Sequence, residues 1–207
     1  MTPAATIFRS VLLTDDVAPD KLLRPDAIPR PPVSVPNVVD NLWEWARPER
    51  FPSRRVAVFG SPSRELAAEH GPEGGRVYAV EFSGDVTICQ VRGYRNSKNH
   101  PECVRLPIFL YERLGGTFLA AAMERKADAG RLWLPCLTKA DVERLLAESS
   151  ELRGLRDALL GEVRYWDDVV LLDGSSPLIH PEDELFFDAP DGYYLRGDRA
   201  PARPPQS

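Results

Sequence analysis

The sequence predicts an α+β fold built on antiparallel sheets, and three observations carry that prediction. Arg76–Val91 alternates, with Val77, Ala79 and Glu81 against Tyr78, Val80 and Phe82, and then resumes as Val86–Val91 after Ser83-Gly84-Asp85. That pattern reads as two strands joined by a hairpin turn. Arg55–Glu69 changes period partway: Val56, Val58 and Phe59 suit a short buried strand, whereas Leu66, Ala67 and His70 are spaced for a helix. The centre of the chain is helical in spacing, whereas the last third returns to short apolar and aromatic strand patterns. Residues 1–196 are read as a single domain, with 14–36 as a wrapping loop and 197–207 as a disordered tail.

The 207 residues suffice for a domain with a real core, and 43% are apolar. No apolar run approaches the roughly 18 residues of a membrane span. Met1–Phe8 lacks a basic segment followed by an apolar one, so no secretory signal is expected. The three cysteines, Cys89, Cys103 and Cys136, are too scattered for a disulfide framework, and a reducing cytoplasm is the expected compartment. A net charge of -5 argues against steering toward nucleic acid by bulk charge. His100 and Cys103 lie close together but lack a second ligand pair, so no zinc site is expected.

Taken in order, Thr6–Leu13 reads as a first strand with Arg9 among apolar neighbours. A guanidinium there needs an anion or several acceptors, or an edge position facing water. Thr14–Pro36 is proline-dense and excludes a regular helix or central strand. Asn37–Arg47 has helical spacing, with Asn37 as a possible cap and Pro48 as the stop. Trp43 and Trp45 cannot share one helix face, so Trp43 is assigned to the core and the place of Trp45 stays open. In the central stretch either Ser61 or Ser63 can cap the helix, with Pro62 tolerated at its start. A helix N-terminus presents free N–H groups and partial positive charge, which suits an anion. Leu106–Lys126 reads as two helices broken at Gly115-Gly116, and Arg131–Leu134 as a short apolar segment. Thr138 caps Lys139–Glu148 with Asp141 at the third position. Leu152–Leu160 reads as helix, Val163–Leu172 as strand, and Asp173–Pro181 as a loop. Glu182-Asp183-Glu184 then leads into Leu185-Phe186-Phe187, and Gly192–Leu195 is a last strand. No internal repeat is present.

Three places combine into a candidate site: Ile7-Phe8-Arg9 in the first strand, Phe59-Gly60-Ser61-Pro62-Ser63 after the second, and Glu182-Asp183-Glu184 at a late one. In kind, order and wide spacing they resemble the bacterial mono-ADP-ribosyltransferases of the Arg–Ser–Glu class. That family has an Arg on the first strand, an aromatic-x-Ser-Thr-Ser strand and a Gln/Glu-x-Glu motif. Pro62 departs from the pattern, standing where the family has Thr. The resemblance implies split antiparallel sheets flanked by helices, with NAD as the substrate. NAD would lie against Arg9, Phe59, Ser61 and Ser63.

By the same resemblance Glu184 would hold the ribose 2′-hydroxyl and stabilise the cation-like transition state. Ser61 would orient Glu184, Glu182 would face the acceptor, and Arg9 would grip phosphates or ribose. The acceptor implied is a macromolecule, protein rather than nucleic acid, with arginine the first expectation. A toxin or effector role in the cytoplasm, with a cognate inhibitor or antitoxin and no membrane partner, belongs to the same picture. Ser61-Pro62-Ser63-Arg64-Glu65-Leu66-Ala67 also resembles the neighbouring RES-type branch, which cleaves NAD and in some members only hydrolyses it. Phe59 stands where that branch wants Tyr. Two other classes fit the residues. One is a non-enzymatic binding or immunity module using the acidic surface. The other is a nucleic-acid-modifying enzyme with Arg92, Arg95 and Lys98 forming a basic groove beside Glu184.

Overall fold

The structure, a computed structural model, describes residues 6–115, 128–172 and 180–197. The expected helix beyond Gly116, most of the 173–181 loop and the tail from 198 onward lie outside the described residues. In chain order the elements are β1 (Ile7–Val11), α1 (Asn37–Ala46), β2 (Val58–Gly60), α2 (Arg64–His70), β3 (Arg76–Phe82), β4 (Thr87–Val91), α3 (Glu102–Leu114), α4 (Asp128–Arg131), α5 (Lys139–Glu148), α6 (Arg156–Glu162), β5 (Val169–Leu172), β6 (Leu185–Asp188) and β7 (Tyr193–Arg196). The chain is thus mixed α and β, with two antiparallel sheets and six helices among the described residues. It gathers into two compact units, Met1–Asp26 with Ala57–Arg95 and Val170–Ser207, and Ala27–Val56 with Asn96–Val169.

The first unit carries the sheets. One has the order β1-β3-β7, with Ile7 opposite Val80 and Val80 opposite Leu195. The other has the order β2-β6-β4-β5, with Phe59 opposite Phe186 and Cys89 opposite that same residue. Strand side chains alternate between faces, and one face of each sheet supplies the core: Ile7, Val11, Tyr78, Leu195 and Tyr193 from the first, Val58, Ile88, Leu185 and Phe187 from the second. The 14–36 loop holds no regular helix or strand, as expected, but Leu23 reaches this core through a two-bond bridge to Tyr193.

Three strand expectations are corrected here. The hairpin does not form: β3 takes β1 and β7 as neighbours, while β4 pairs with β6 in the other sheet. After β3 the Ser83 N–H is taken by the Gly192 carbonyl at 3.0 Å. Gly84 lies so close under Asp191 that a Cβ there would sit 2.3 Å from its carboxylate. The turn is therefore bound to the approach to β7 rather than folding β4 back onto β3. Val56 lies in a turn before β2, which leaves that strand only three residues. Of Val163–Leu172 only the last four residues are strand, because Tyr165–Asp167 form a 3-10 turn. That turn is fixed by its aromatic side chains: Tyr165 stacks on Trp43 at 4.0 Å, and the Trp166 indole N–H donates to the Trp43 carbonyl at 2.7 Å.

The second unit is helical. Helix α1 starts from Pro36, whose carbonyl accepts from Val39 and Asp40. Asn37 is not its cap; its amide reaches the Trp133 carbonyl instead, at 3.3 Å. Both tryptophans are buried, because α1 packs against α3 and α5. The Trp43 indole N–H donates to Glu102 at 2.7 Å and that of Trp45 to Glu143 at 2.8 Å, so neither polar edge is stranded. Thr138 and Asp141 form the expected capping box at α5. The helix expected from Leu152 begins only at Arg156. Below α1, Arg55 donates to Asp40 at 2.8 Å, Asn41 at 2.6 Å and the Leu137 carbonyl. Asn41 in turn donates to the Leu132 and Leu134 carbonyls, both at 2.7 Å. Burial pushes the Asp40 carboxyl up and the Arg55 guanidinium pulls it back.

Candidate functional site

The pairing of β2 with β6 decides how the sequence motifs meet. Gly60 lies opposite Leu185, and one further step of the same register sets Ser61 opposite Glu184. Directly opposed residues of an antiparallel pair share a face. On β2 that face carries Phe59 and Ser61; on β6 and its approach it carries Glu184 and Phe186, whose ring lies 5.9 Å from that of Phe59. Val58, Leu185 and Phe187 point the other way, into the core. Ser61 and Glu184 therefore project together from the side of the sheet away from the core of this unit. Both are buried, at 7% and 9% exposure, whereas Phe59 is 38% exposed.

The backbone fixes both residues. Ser61 exchanges two hydrogen bonds with Phe8, each 2.8 Å, so the end of β2 is bound to β1. Gly60 permits that approach, since a Cβ there would lie 2.7 Å from Ile7 and 3.2 Å from the Phe8 carbonyl oxygen. Glu184 donates its N–H to the Tyr94 carbonyl at 2.8 Å and accepts from the Val91 N–H at 2.9 Å. It is thus held in the ladder with the end of β4.

The other predicted residues fall elsewhere. Ser63 is the cap of α2, its hydroxyl accepting from the Leu66 N–H at 3.1 Å. Pro62 precedes this cap and is not the first helical residue. Helix α2 has only seven residues, too short for a strong terminal field. Arg9 shares its face with Ile7 and Val11, opposite to Phe8 and hence to Ser61. It donates to the Tyr193 hydroxyl, with its guanidinium 5.8 Å from the centre of that ring. Ser61 and Glu184 are brought together, and Arg9 is not brought to them. Glu182 is exposed, its N–H directed to His180 Nδ1 at 3.3 Å.

Sequence reasoning passed over Asp183, which is buried and accepts from the Gly93 N–H at 2.8 Å. An acid between two others gives no sign that it turns to the core-facing side; only strand alternation hints at it. The loop after β4 carries Arg92 and Arg95 alongside Glu184, and Arg95 pairs with Glu69 of α2 at 3.2 Å. Among the described residues no group of three or more His, Cys, Asp or Glu side chains is placed to hold a metal ion. No helix among them is long and apolar enough to cross a membrane.

Compared with protein-family profiles, with curated proteins and with solved structures, the chain matches none. Its chemistry has to be read from the site. A buried carboxylate that shares its strand face with a serine hydroxyl and two phenylalanines can stabilise positive charge that develops against it. A fixed negative charge counts for more where water is excluded.

Proposed function

We propose that this chain is a mono-ADP-ribosyltransferase that cleaves the nicotinamide–ribose bond of NAD and passes ADP-ribose to a protein acceptor. The observation that carries this reading is the opposition of Ser61 and Glu184 on one buried face, at the ends of paired strands. Leaving-group departure builds positive charge on the ribose, as in glycoside cleavage. A carboxylate fixed beside that ribose lowers the barrier because it binds the charge only as it develops. Glu184 takes this role, and the Ser61 hydroxyl orients it. Phe59, the more exposed ring, offers a surface for the nicotinamide. Glu182, exposed two residues earlier, faces the acceptor. Arg9 stands on the opposite face, where its guanidinium meets Tyr193.

The test is nicotinamide release from NAD by purified protein, wild type beside Glu184→Gln. The substitution keeps shape and removes charge, so turnover should fall by about a thousandfold or more while NAD affinity changes little. Full activity in Glu184→Gln would refute the assignment. Labelled NAD then separates transfer from hydrolysis: label on a protein supports transfer, and free ADP-ribose alone supports the hydrolytic branch. One observation favours a second acceptor class. The loop bearing Arg92 and Arg95 is hydrogen-bonded directly beside Glu184, which suits a polyanionic acceptor. Label on nucleic acid instead of protein would decide for it.

A further inference from the structure

We infer that Gln90 and Asp183 are positioning residues that together set where Glu184 stands, an inference that rests on the NAD-cleaving reading above. Gln90 is fully buried on the core-facing side of β4, opposite Leu185. An amide in such a place is costly unless both its arms are satisfied. Its Nε2 donates to the His180 carbonyl at 2.6 Å, and its Oε1 accepts from the His180 N–H at 3.2 Å. The side chain grips both main-chain polar groups of one residue, as a neighbouring strand would. The amide of Gln offers a neutral donor and acceptor on one planar group at any pH.

Three residues on, Asp183 provides the second arm. One carboxylate oxygen accepts from the Gly93 N–H at 2.8 Å, and the other lies 3.2 Å from His180 Nδ1. Glu184 follows at once, its N–H on Tyr94. The segment His180–Glu184 is therefore held at its start by Gln90 and near its end by Asp183, both against the β4 side of the sheet. Neither side chain reaches the face shared by Ser61 and Glu184, so each acts through the carboxylates it places. Small misplacements of a reacting group are expensive in rate, which gives this arrangement its purpose.

The experiment combines Gln90→Met and Gln90→Glu with two readouts: amide hydrogen exchange across His180–Glu184, and steady-state nicotinamide release. Gln90→Met keeps length and loses both polar arms. Exchange in that segment should quicken by about tenfold with the rest of the unit unchanged. The kcat should fall by about tenfold or more, with KM for NAD within about twofold. In Gln90→Glu the protonated carboxyl restores a donor and an acceptor, so its kcat relative to wild type should rise as pH is lowered. Unchanged exchange in Gln90→Met overturns the clamp. Faster exchange with unchanged kcat overturns positioning. If Gln90→Met does not fold, a flat pH ratio for Gln90→Glu overturns the inference. Wild-type protein that releases no nicotinamide refutes the NAD reading itself, and exchange still decides the clamp.

Discussion

At the scale of single residues, position in the alternation decides more than chemical type. Ser61 and Ser63 are the same amino acid two positions apart; one stands a single register step beyond the β2–β6 pairing and the other caps the start of a helix. That the motifs of Ser61 and Glu184 stand at strand ends was legible in the sequence. The place of Arg9 was not, because its sequence neighbours do not reveal which face of β1 is the core face. The buried inventory also predicts reactivity. Cys89 is fully buried on β4, and burial pushes its thiol up to about 12. A thiol raised in the folded state favours unfolding once it must ionise. Its contribution to stability is therefore intact below the ordinary value of 9.0 and lost as pH climbs toward about 12. Cys89 should resist iodoacetamide at neutral pH in native protein and react after denaturation. Peptide mapping that finds it alkylated in the native state would contradict this burial.

At the scale of elements, the sequence specified strand and helix type better than partnership. Alternation fixes which faces a strand shows, but any complementary strand satisfies it. Arg76–Phe82 was a strand as expected, yet the neighbour suggested by the short Ser83-Gly84-Asp85 segment was the wrong one. What overrode the hairpin was non-local: the Ser83 bond to Gly192 and the pressure of Asp191 on Gly84. The capping box at Thr138 was readable because it is complete within four residues. The contact of β1 with β2 was not, since it depends on a glycine being crowded from another strand. Gly60→Ala should therefore cost about 1–3 kcal/mol, because the added methyl meets Ile7, Leu185 and backbone at once. Urea denaturation would register it as a lower midpoint with an unchanged slope; an unshifted midpoint would show that β1 can retreat without loss.

At the scale of the whole molecule, two interleaved units are drawn from one chain. Length and composition allowed a core without saying how many centres it would have. The unit boundaries fall inside the proline-rich loop, the turn before β2, the loop after β4 and the start of β5, and only the first of these is marked by composition. The helical unit has its own internal lock in Arg55, Asp40 and Asn41, invisible in sequence because the partners are separated by 14 and 15 residues and a proline stop. Asp40→Ala leaves a buried guanidinium without its counter-charge and should cost about 3–5 kcal/mol. Calorimetry on the purified variant would check it, and a melting profile identical to wild type would show that the remaining acceptors suffice.

The interleaving also bears on when the sheet-bearing unit can close during synthesis. The core of the sheet-bearing unit needs Leu185, Phe187 and Leu195 to cover Ile7 and Val58. While the ribosome is still translating the helical segments, β1, β2 and β3 have emerged without the strands that complete them. Glu184 is synthesised just ahead of the last two strands, so the proposed acid and the scaffold that holds it arrive together. A stalled or truncated nascent chain would carry the serine and neither the acid nor a finished core. The proposed site would thus be assembled only after β6 and β7 have left the ribosome.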